Sequence, residues 1–448
     1  MSFDGVVVVG GGLAGSEAAW QAARRGVRVR LYEMRPARPT AVHKSGHLAE
    51  LVCSNSLKSL ELSTAHGVLK EEMGRLGSVI LESAVRNRVP AGGALAVDRE
   101  RFAAEVTERL ESEPLIEIVR EEVTEIPAQA QVVLAVGPLV SDTLAAAIAE
   151  FTGQDYLYFF DAIAPVIEAD TIDREIVFAA SRYGKGGGDD YLNCPMSQAE
   201  YEGFIEALLA GEQAPLHEFD KTPYFEGCMP LEAMAARGLD TPRFGPMKPV
   251  GLTDPRTGKR PWAVVQLRQD NLAAEHYSMV GFQTQLRWPE QKRIFRTIPG
   301  LEKAEFVRLG QVHRNCYINA PTVLRADLQT RTRPGLFFAG QISGVEGYTE
   351  SAATGLLCGI NAARLARGEP TLTLPQETML GALCHYICNT DAEGYQPTNA
   401  AFGLLPEAPK GIRKKRDRRL ARGRRALETL DAFIEEHAEA LRVTERSA

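Results

Sequence analysis

The first fifteen residues constrain the fold of this chain more than any other part of it. The β-branched run Val6–Val9 is typical of a strand that is buried on both faces. Gly10, Gly12 and Gly15 follow it with the spacing G-x-G-x-x-G. These glycines allow a tight turn, a close approach of the backbone to a pyrophosphate and close packing of the next helix on the sheet. The pattern therefore predicts a strand, a turn and a helix that together bind a dinucleotide.

The residues that follow continue this unit. We predict a helix from about Leu13 to Arg25, with alanines at 14, 18 and 22 on one closely packed face. A second strand, Val27–Glu33, ends in a carboxylate that is placed to accept both hydroxyls of a ribose, which favours NAD or FAD over NADP. The predicted cofactor contacts in this unit are Gly10, Gly11, Gly12, Leu13, Ala14, Gly15 and Glu33.

A second cofactor-like segment lies far along the chain. The short apolar run Gly335–Gln341 ends in Gly340 and precedes a helix-prone stretch from about Tyr348 to Arg367. This arrangement resembles the closing segment of FAD domains of the glutathione-reductase type. Gln341 replaces the usual Asp there, but its amide can still hydrogen-bond a phosphate or ribitol oxygen. Because the chain has no second G-x-G-x-x-G, we predict FAD, with Gly340 and Gln341 as further contacts.

The predicted fold is α/β, an FAD-binding Rossmann-type (glutathione-reductase-like) domain with an α+β insertion domain. Residues 1–150 and 328–448 are assigned to the FAD-binding domain, which is discontinuous. Residues 151–327 hold most of the aromatic residues and many prolines, and we assign them to an insertion that holds the substrate.

Composition excludes several classes of protein. The chain has 448 residues, its mean hydropathy is -0.17, and no run approaches the ~20 apolar residues of a membrane helix. The seven cysteines are scattered, which favours a reducing cytoplasm over a disulfide framework. Cys384 and Cys388 lie one helical turn apart, a spacing more typical of a helix core than of a metal site, and no metal is predicted.

The charge distribution is uneven. The net charge is -7, but residues 411–425 hold nine Lys or Arg and one acid, so the rest of the chain carries about -15. Such a segment is either a surface that binds RNA or a solvated helix face. The predicted RNA-binding residues are Arg413, Lys414, Lys415, Arg416, Arg418 and Arg419.

Cys53 and Cys228 lie in segments that are polar or bounded by Gly or Pro. The sequence around each of them resembles that of a known family. The stretches that carry the resemblance are residues 10–15, YEMRP (32–36), VCSNSLK (52–58), FEGCMP (225–230), MVGFQT (279–284), HRN (313–315) and FAGQ (338–341). Together they resemble the bacterial folate- and FAD-dependent tRNA (uracil-54-C5)-methyltransferases over nearly the whole chain. Cys316 departs from that pattern, since a Thr is expected after HRN.

The resemblance implies a reaction. In this family the carbon comes from 5,10-methylenetetrahydrofolate, reduced FAD supplies the electrons, and NAD(P)H recharges the flavin. By position, Cys53 and Cys228 are the two catalytic thiols, with Cys228 as the nucleophile at C6 of uracil and Cys53 as its partner. A free thiol has a pKa near ~8.5, so the site is expected to favour the thiolate, with help from Lys58 or a basic RNA-binding surface. The partners implied are tRNA and folate, without a membrane or an obligate protein partner.

Three other functions remain open at this point. The related tRNA wobble-uridine flavoprotein shares the FAD fold and folate use, but it is longer and has a further C-terminal helical domain. A metabolite-directed FAD oxidoreductase would need neither the two thiols nor the basic segment. A flavin-stabilised RNA-binding protein would do no chemistry, and alanine at Cys228 would separate it, since only an enzyme should lose methyl transfer while keeping its affinity for tRNA.

Overall fold

The computed structural model describes residues 3–40, 42–215 and 229–441, without the side chains of residues 159–161, 313 and 314. Within these residues the strands are β1 (Val6–Val9), β2 (Val29–Tyr32), β3 (Ser56–Ser59), β4 (Arg88–Val89), β5 (Ala94–Val97), β6 (Ile116–Val119), β7 (Gln131–Leu134), β8 (Leu157–Ile163), β9 (Val166–Glu168), β10 (Phe178–Ala179), β11 (Tyr191–Met196), β12 (Ala263–Gln269), β13 (His276–Met279), β14 (Phe306–Arg308), β15 (Gln311–Tyr317) and β16 (Leu336–Phe338).

The α-helices of the same residues are α1 (Leu13–Arg24), α2 (Ala65–Arg75), α3 (Val79–Arg86), α4 (Arg99–Glu111), α5 (Asp142–Thr152), α6 (Gln198–Ala210), α7 (Leu231–Ala236), α8 (Thr241–Phe244), α9 (Trp288–Phe295), α10 (Ala320–Val323), α11 (Tyr348–Ala366), α12 (Met379–Asn389), α13 (Lys415–Glu436) and α14 (Ala438–Leu441). None of them is long and apolar enough to cross a membrane.

The first core is built on a parallel sheet of five strands in the order β16-β7-β1-β2-β6. All four residues of β1 are buried, as predicted for a strand covered on both faces. The helices α1 and α11 pack closely over this sheet: a Cβ atom at Gly355 would lie 2.1 Å from the carbonyl oxygen of Ala14. The small-residue face predicted for α1 is therefore confirmed, and its partner is the distal helix α11.

The second core spans residues 167–304. Its six-stranded sheet has the order β10-β11-β12-β13-β9-β14, and its pairs are antiparallel. The helix α6 begins with a capping box between Ser197 and Glu200. The strand β13 ends at Met279, shortly before Gly281 takes a φ of +75°. The domain boundaries at 151 and 327 stay a prediction.

Candidate active site

The first cleft lies where β1 meets α1, at the carboxyl ends of the parallel strands. It has an empty volume of about 1100 Å³, solvent at its mouth included, and residues 9–14 form part of its lining. Gly10 has a φ of +101°, and a Cβ at Gly15 would lie 1.7 Å from the oxygen of Gly10. A Cβ at Gly12 would meet no atom within 4 Å, and α1 begins there without a side-chain cap. The backbone N–H groups at such an uncovered helix N-terminus can bind a pyrophosphate.

Glu33 lies in the same cleft and is held by several N–H groups. Its Oε2 accepts hydrogen bonds from the Gly11 amide at 2.9 Å and from Arg35 Nη2 at 3.1 Å. Its Oε1 accepts from the Arg35 amide and Nε, both at 2.9 Å. Burial alone would raise the pKa of Glu33, but the bonds and charge of Arg35 hold that pKa below its usual value. The carboxylate is therefore ionised, although its contact with a ribose stays a prediction.

The distal segment reaches the cleft from the other side. Gly340, Gln341, Tyr348 and Ser351 line it together with the glycine turn. A Cβ at Gly340 would lie 2.9 Å from the Cβ of Ala14, so the two segments touch. The structure thus joins the two segments that the sequence places more than 300 residues apart, and together they fit the two ends of an FAD.

A second cavity adjoins the first and contains Cys53. The two cavities share Val52, Pro138, Leu139, Gln341, Tyr348 and Ser351 in their linings. The second cavity is also lined by Lys58 from β3 and by Ser278, Met279 and Gly281 from the second core. Cys53 therefore lies between the predicted flavin cleft and the insertion, where a substrate can reach both.

The loop that carries Cys53 is fixed by groups from distant parts of the chain. The hydroxyl oxygen of Tyr348 accepts hydrogen bonds from the amides of Cys53 at 2.7 Å and Ser54 at 3.1 Å. Arg308 donates to the carbonyl of Val52 at 2.9 Å, and Arg268 donates to the Ser54 hydroxyl at 2.8 Å. Burial and the neighbouring Arg99 lower the pKa of Arg308 to about 10, which leaves it charged at neutral pH. Sequence reasoning missed these arginines, because no local pattern links them to Cys53.

Lys58, which the sequence placed near the thiol, faces a carboxylate. Its ammonium lies close to Gly347 at the start of α11, and its charge lowers the pKa of Glu350. The guanidinium groups of Arg268 and Arg308 also interact electrostatically with Cys53. The positive surroundings of this thiol thus include two arginines besides the predicted lysine.

Cys228 lies outside the described residues, so the structure does not place the second thiol. Three residues further on, the amide of Leu231 donates to the carbonyl of Gln283 at 2.8 Å, and Gln283 lines the second cavity. The start of α7 is therefore attached to the wall of the cavity that holds Cys53.

The other cysteines are placed in structural settings. Cys384 and Cys388 are both buried in the first core, as their helical spacing indicates. Cys316 is also buried, and its thiol lies 3.1 Å from the carbonyl of Pro138. A Thr hydroxyl can make the same contact, which accounts for this departure from the family pattern.

The basic segment forms the beginning of α13 and the turn before it. The side chains of its six predicted RNA-binding residues are all exposed: Arg413, Lys414, Lys415, Arg416, Arg418 and Arg419. Gly423 of α13 packs against Val68 of α2 and Leu62. The pKa of Glu61 is lowered mainly by its hydrogen bond from Lys185 and further by the charge of Arg416. Because Glu61 closely follows β3, which lines the second cavity, the basic end of α13 lies beside that cavity wall.

The fold and the first cleft define a flavoprotein with an FAD domain of the glutathione-reductase type and an inserted second domain. Within that class, the chain belongs to the family described as glucose inhibited division protein A, whose model matches residues 5–370. The structure is similar to that of GidA from Aquifex aeolicus, with a TM-score of 0.68 and 19% identity over 97% of this chain and 76% of that one.

Curated relatives are much closer in sequence. A protein of Desulforudis audaxviator is 58% identical over 97% of this chain and 99% of its own length. One of Brevibacillus brevis is 58% identical over the same shares, and one of Geobacter sulfurreducens is 58% identical over 96% and 98%. Each is named methylenetetrahydrofolate--tRNA-(uracil-5-)-methyltransferase TrmFO.

Proposed function

We infer that this protein methylates C5 of uracil in tRNA, with 5,10-methylenetetrahydrofolate as the carbon donor and FAD as its cofactor. The observation that carries this function is the 58% identity to relatives of that name over nearly the whole of both chains. The likeness to GidA supports the fold alone, since its identity is 19%. The wobble-uridine and metabolite-oxidoreductase alternatives are not favoured.

The chemistry requires a thiolate because C5 of uracil is a poor nucleophile. Addition of a thiolate to C6 makes C5 an enolate carbon, which can form a bond to the methylene carbon of the folate. Loss of the C5 proton and cleavage of the bond between the methylene carbon and the folate nitrogen release tetrahydrofolate and leave an exocyclic methylene group at C5. Once this group has been reduced, departure of the thiolate from C6 restores the conjugated ring of the base. Reduced FAD supplies the two electrons that convert the methylene group into methyl, and we propose NAD(P)H as the source that recharges it.

We propose that Cys228 attacks C6 and that Cys53 is its partner, as a masking thiol or a proton-transfer group. The position of Cys53 supports a role in the reaction, because it lies in the cavity that adjoins the flavin cleft. Arg268 donates to the Ser54 hydroxyl and Arg308 donates to the Val52 carbonyl, so both arginines hold the loop of Cys53 in position.

We propose uridine 54 of the T-loop as the target and the basic segment 413–419 as part of the tRNA surface. A base stacked inside a loop must leave the stack before a thiol can reach it. The six exposed cations supply the phosphate contacts that hold the RNA while the target base leaves the stack. Action in the cytoplasm stays a prediction from the cysteine pattern.

The function is tested by one reconstitution. The FAD-loaded protein is incubated with methylenetetrahydrofolate, NADPH and unmodified tRNA, and nucleosides are analysed by mass spectrometry. We expect 5-methyluridine at position 54, and none with a tRNA that carries cytidine there. Failure to form 5-methyluridine in any tRNA would exclude the proposed reaction.

The Cys228→Ala variant separates an enzyme from an RNA-binding protein. We expect it to lose methyl transfer while its affinity for tRNA stays within about twofold of the wild type, because one thiol adds little to an interface dominated by phosphate contacts. A variant that kept its activity would overturn the assignment of Cys228 as the nucleophile.

A further inference from the structure

Two segments of the insertion form a rim beside the second cavity. Pro246 packs against the wall of that cavity, since a Cβ at Gly281 would lie 2.4 Å from the Cβ of Pro246. Met247 is buried, and its carbonyl accepts a hydrogen bond from the Val264 amide of β12 at 3.0 Å. The segment from Phe244 to Lys248 is therefore attached to β12 and touches the cavity wall at Pro246.

The Gly-rich loop 183–188 is attached to this segment and extends the rim. The amide of Tyr183 donates to the carbonyl of Gly251 at 3.1 Å, and the guanidinium of Arg182 donates to the carbonyl of Lys248. On its other side, Lys185 pairs with Glu61, which closely follows β3 of the cavity wall. The rim thus connects the insertion to Glu61, which also interacts electrostatically with Arg416 in the first turn of α13.

Two aromatic rings are left in solvent on this rim. Tyr183 is 66% exposed and Phe244 is 75% exposed. Tyr183 also has a φ of +58°, a conformation that is unfavourable for a bulky residue. Its ring lies over Gly251, where a Cβ would be 3.0 Å from ring atoms. The chain therefore holds an exposed ring in a strained conformation, an outlier of the kind found at functional sites.

The part of the rim that carries Phe244 is positively charged although the chain as a whole is acidic, whereas residues 182–190 around Tyr183 hold two cations and two acids. Residues 237–260 contain six Lys or Arg and two Asp. One of the two acids, Asp254, is paired with Arg256 at 3.0 Å. Arg243 lies over the ring of Trp262 at 3.8 Å and next to Phe244. Exposed aromatic rings interleaved with cations are the features that bind unpaired nucleic acid.

We propose that Tyr183 and Phe244 stack on unpaired tRNA bases next to the target uridine, while Arg243 and Lys248 contact the adjoining phosphates. This inference rests on the proposed function, because it requires tRNA as the substrate. When the uridine flips out, the bases next to it lose their stacking contact with it. Stacking on the two aromatic rings replaces that contact. The rim and the basic helix α13 then contact the RNA from two sides of one cavity.

The test compares the double variant Tyr183→Ala/Phe244→Ala with the wild type. A conservative variant, Tyr183→Phe/Phe244→Tyr, keeps both rings and should behave as the wild type. Trp288→Ala is the matched control: Trp288 is 59% exposed in the same core, but it adjoins Glu290 and the Arg287–Glu212 pair. Flavin content and thermal unfolding verify that each variant is folded.

Two readouts are measured: the KM for tRNA, and the affinity for labelled tRNA with its T-loop either free or paired to a complementary oligonucleotide. We expect the KM of the alanine variant to rise at least ~30-fold, since two stacking contacts are removed, with affinity lost only for the free loop. An unchanged KM, an equal loss in Trp288→Ala, or an equal loss for the paired loop would overturn the proposal. If the wild type formed no 5-methyluridine, the proposed function would fail instead.

Discussion

At the scale of single residues, Glu350 is the most constrained charge near the second cavity. Its side chain is fully buried in the first turn of α11, and its Oε1 accepts a hydrogen bond from the Ala400 amide at 3.0 Å. His66 Nδ1 lies 3.0 Å from the same oxygen. Burial raises the pKa of this carboxyl, but His66 and Lys58 lower it more, to about 2. A negative charge at a helix N-terminus is also favoured by the helix dipole.

This arrangement predicts a pH-dependent effect of Glu350→Gln. Because the folded-state pKa lies below the usual 4.5, the ionised carboxylate contributes stability above pH 4.5, and that contribution is lost as the pH falls towards 2. At ~1.4 kcal/mol per pH unit the contribution is roughly 3 kcal/mol. We expect the variant to unfold at lower urea than the wild type at pH 7, and the difference to shrink by pH 3. A stability difference between variant and wild type that did not change with pH would contradict the lowered pKa of Glu350.

At the scale of elements, the packing of α1 on α11 couples the distal helix to the cofactor cleft. Gly355 and Gly359 face α1 so closely that Cβ atoms there would lie 2.1 Å and 2.4 Å from the carbonyl oxygens of Ala14 and Ala18. Since the N-terminus of α1 forms the floor of the cleft, any displacement of this helix also moves the N–H groups that a pyrophosphate needs.

We therefore predict that Gly355→Ala reduces both stability and flavin content. Overpacking of this kind costs about 1–3 kcal/mol, and here the added atom meets backbone, which cannot rotate away. Urea unfolding and the flavin-to-protein absorbance ratio measure the two effects. Gly203→Ala in α6 is the control, because a Cβ there meets nothing within 4 Å. This substitution should raise the free energy of unfolding by about 0.5–1 kcal/mol. Equal behaviour of the two variants would exclude a packing role for Gly355.

The basic end of α13 is predicted to act through phosphate contacts. The triple variant Lys414→Ala/Lys415→Ala/Arg416→Ala should raise the KM for tRNA and flatten its salt dependence, with the slope of log affinity against log salt reduced by up to about 2. Arg24→Ala/Arg28→Ala/Arg367→Ala removes the same charge from exposed positions at the end of α1, just before β2 and at the end of α11. If both triple variants changed the slope of the salt dependence equally, the effect would arise from net charge and not from contacts of this helix.

Local patterns predicted these elements well because each element depends on its own residues. The apolar run of β1 and the alanine face of α1 were readable from the sequence. The second strand was predicted from Val27 to Glu33, but its pairing runs only from Val29 to Tyr32. Extended segments that leave a sheet keep the same apolar composition, so the end of the pairing is not visible in the pattern.

At the scale of the whole molecule, the site forms where the two cores meet. Arg99 of α4 donates to Asp270 at 2.9 Å and to the carbonyl of Leu51 at 3.4 Å, and Ser278 donates to the same carboxylate at 2.6 Å. The contact between Arg99 and Asp270 joins residues 171 positions apart. No spacing rule in a single sequence connects them, which is why the surroundings of Cys53 were not predicted although the thiol itself was.

This junction predicts that Asp270→Asn weakens the contact between the cores and leaves the flavin cleft in place. Burial raises the pKa of Asp270, but Arg99, Ser278 and Arg308 hold it below its usual value. The substitution leaves Arg99 and Arg308 as buried cations without their carboxylate, at a cost of about 3–5 kcal/mol. We expect calorimetry to resolve two unfolding transitions, and methyl transfer to fall by more than flavin content, because the first cleft is lined by residues of the first core.

The control for this substitution is Asp254→Asn within the second core. Its partner Arg256 is 43% exposed on its side chain, so loss of that pair should cost no more than about 1 kcal/mol. A single transition at the wild-type midpoint in Asp270→Asn would show that the cores are held together elsewhere. Separate transitions with retained flavin would instead locate the coupling at the Cys53 loop, where Leu51 and Val52 are bonded to Arg99 and Arg308. The methyltransferase site would then depend on a charge cluster that neither core can complete alone.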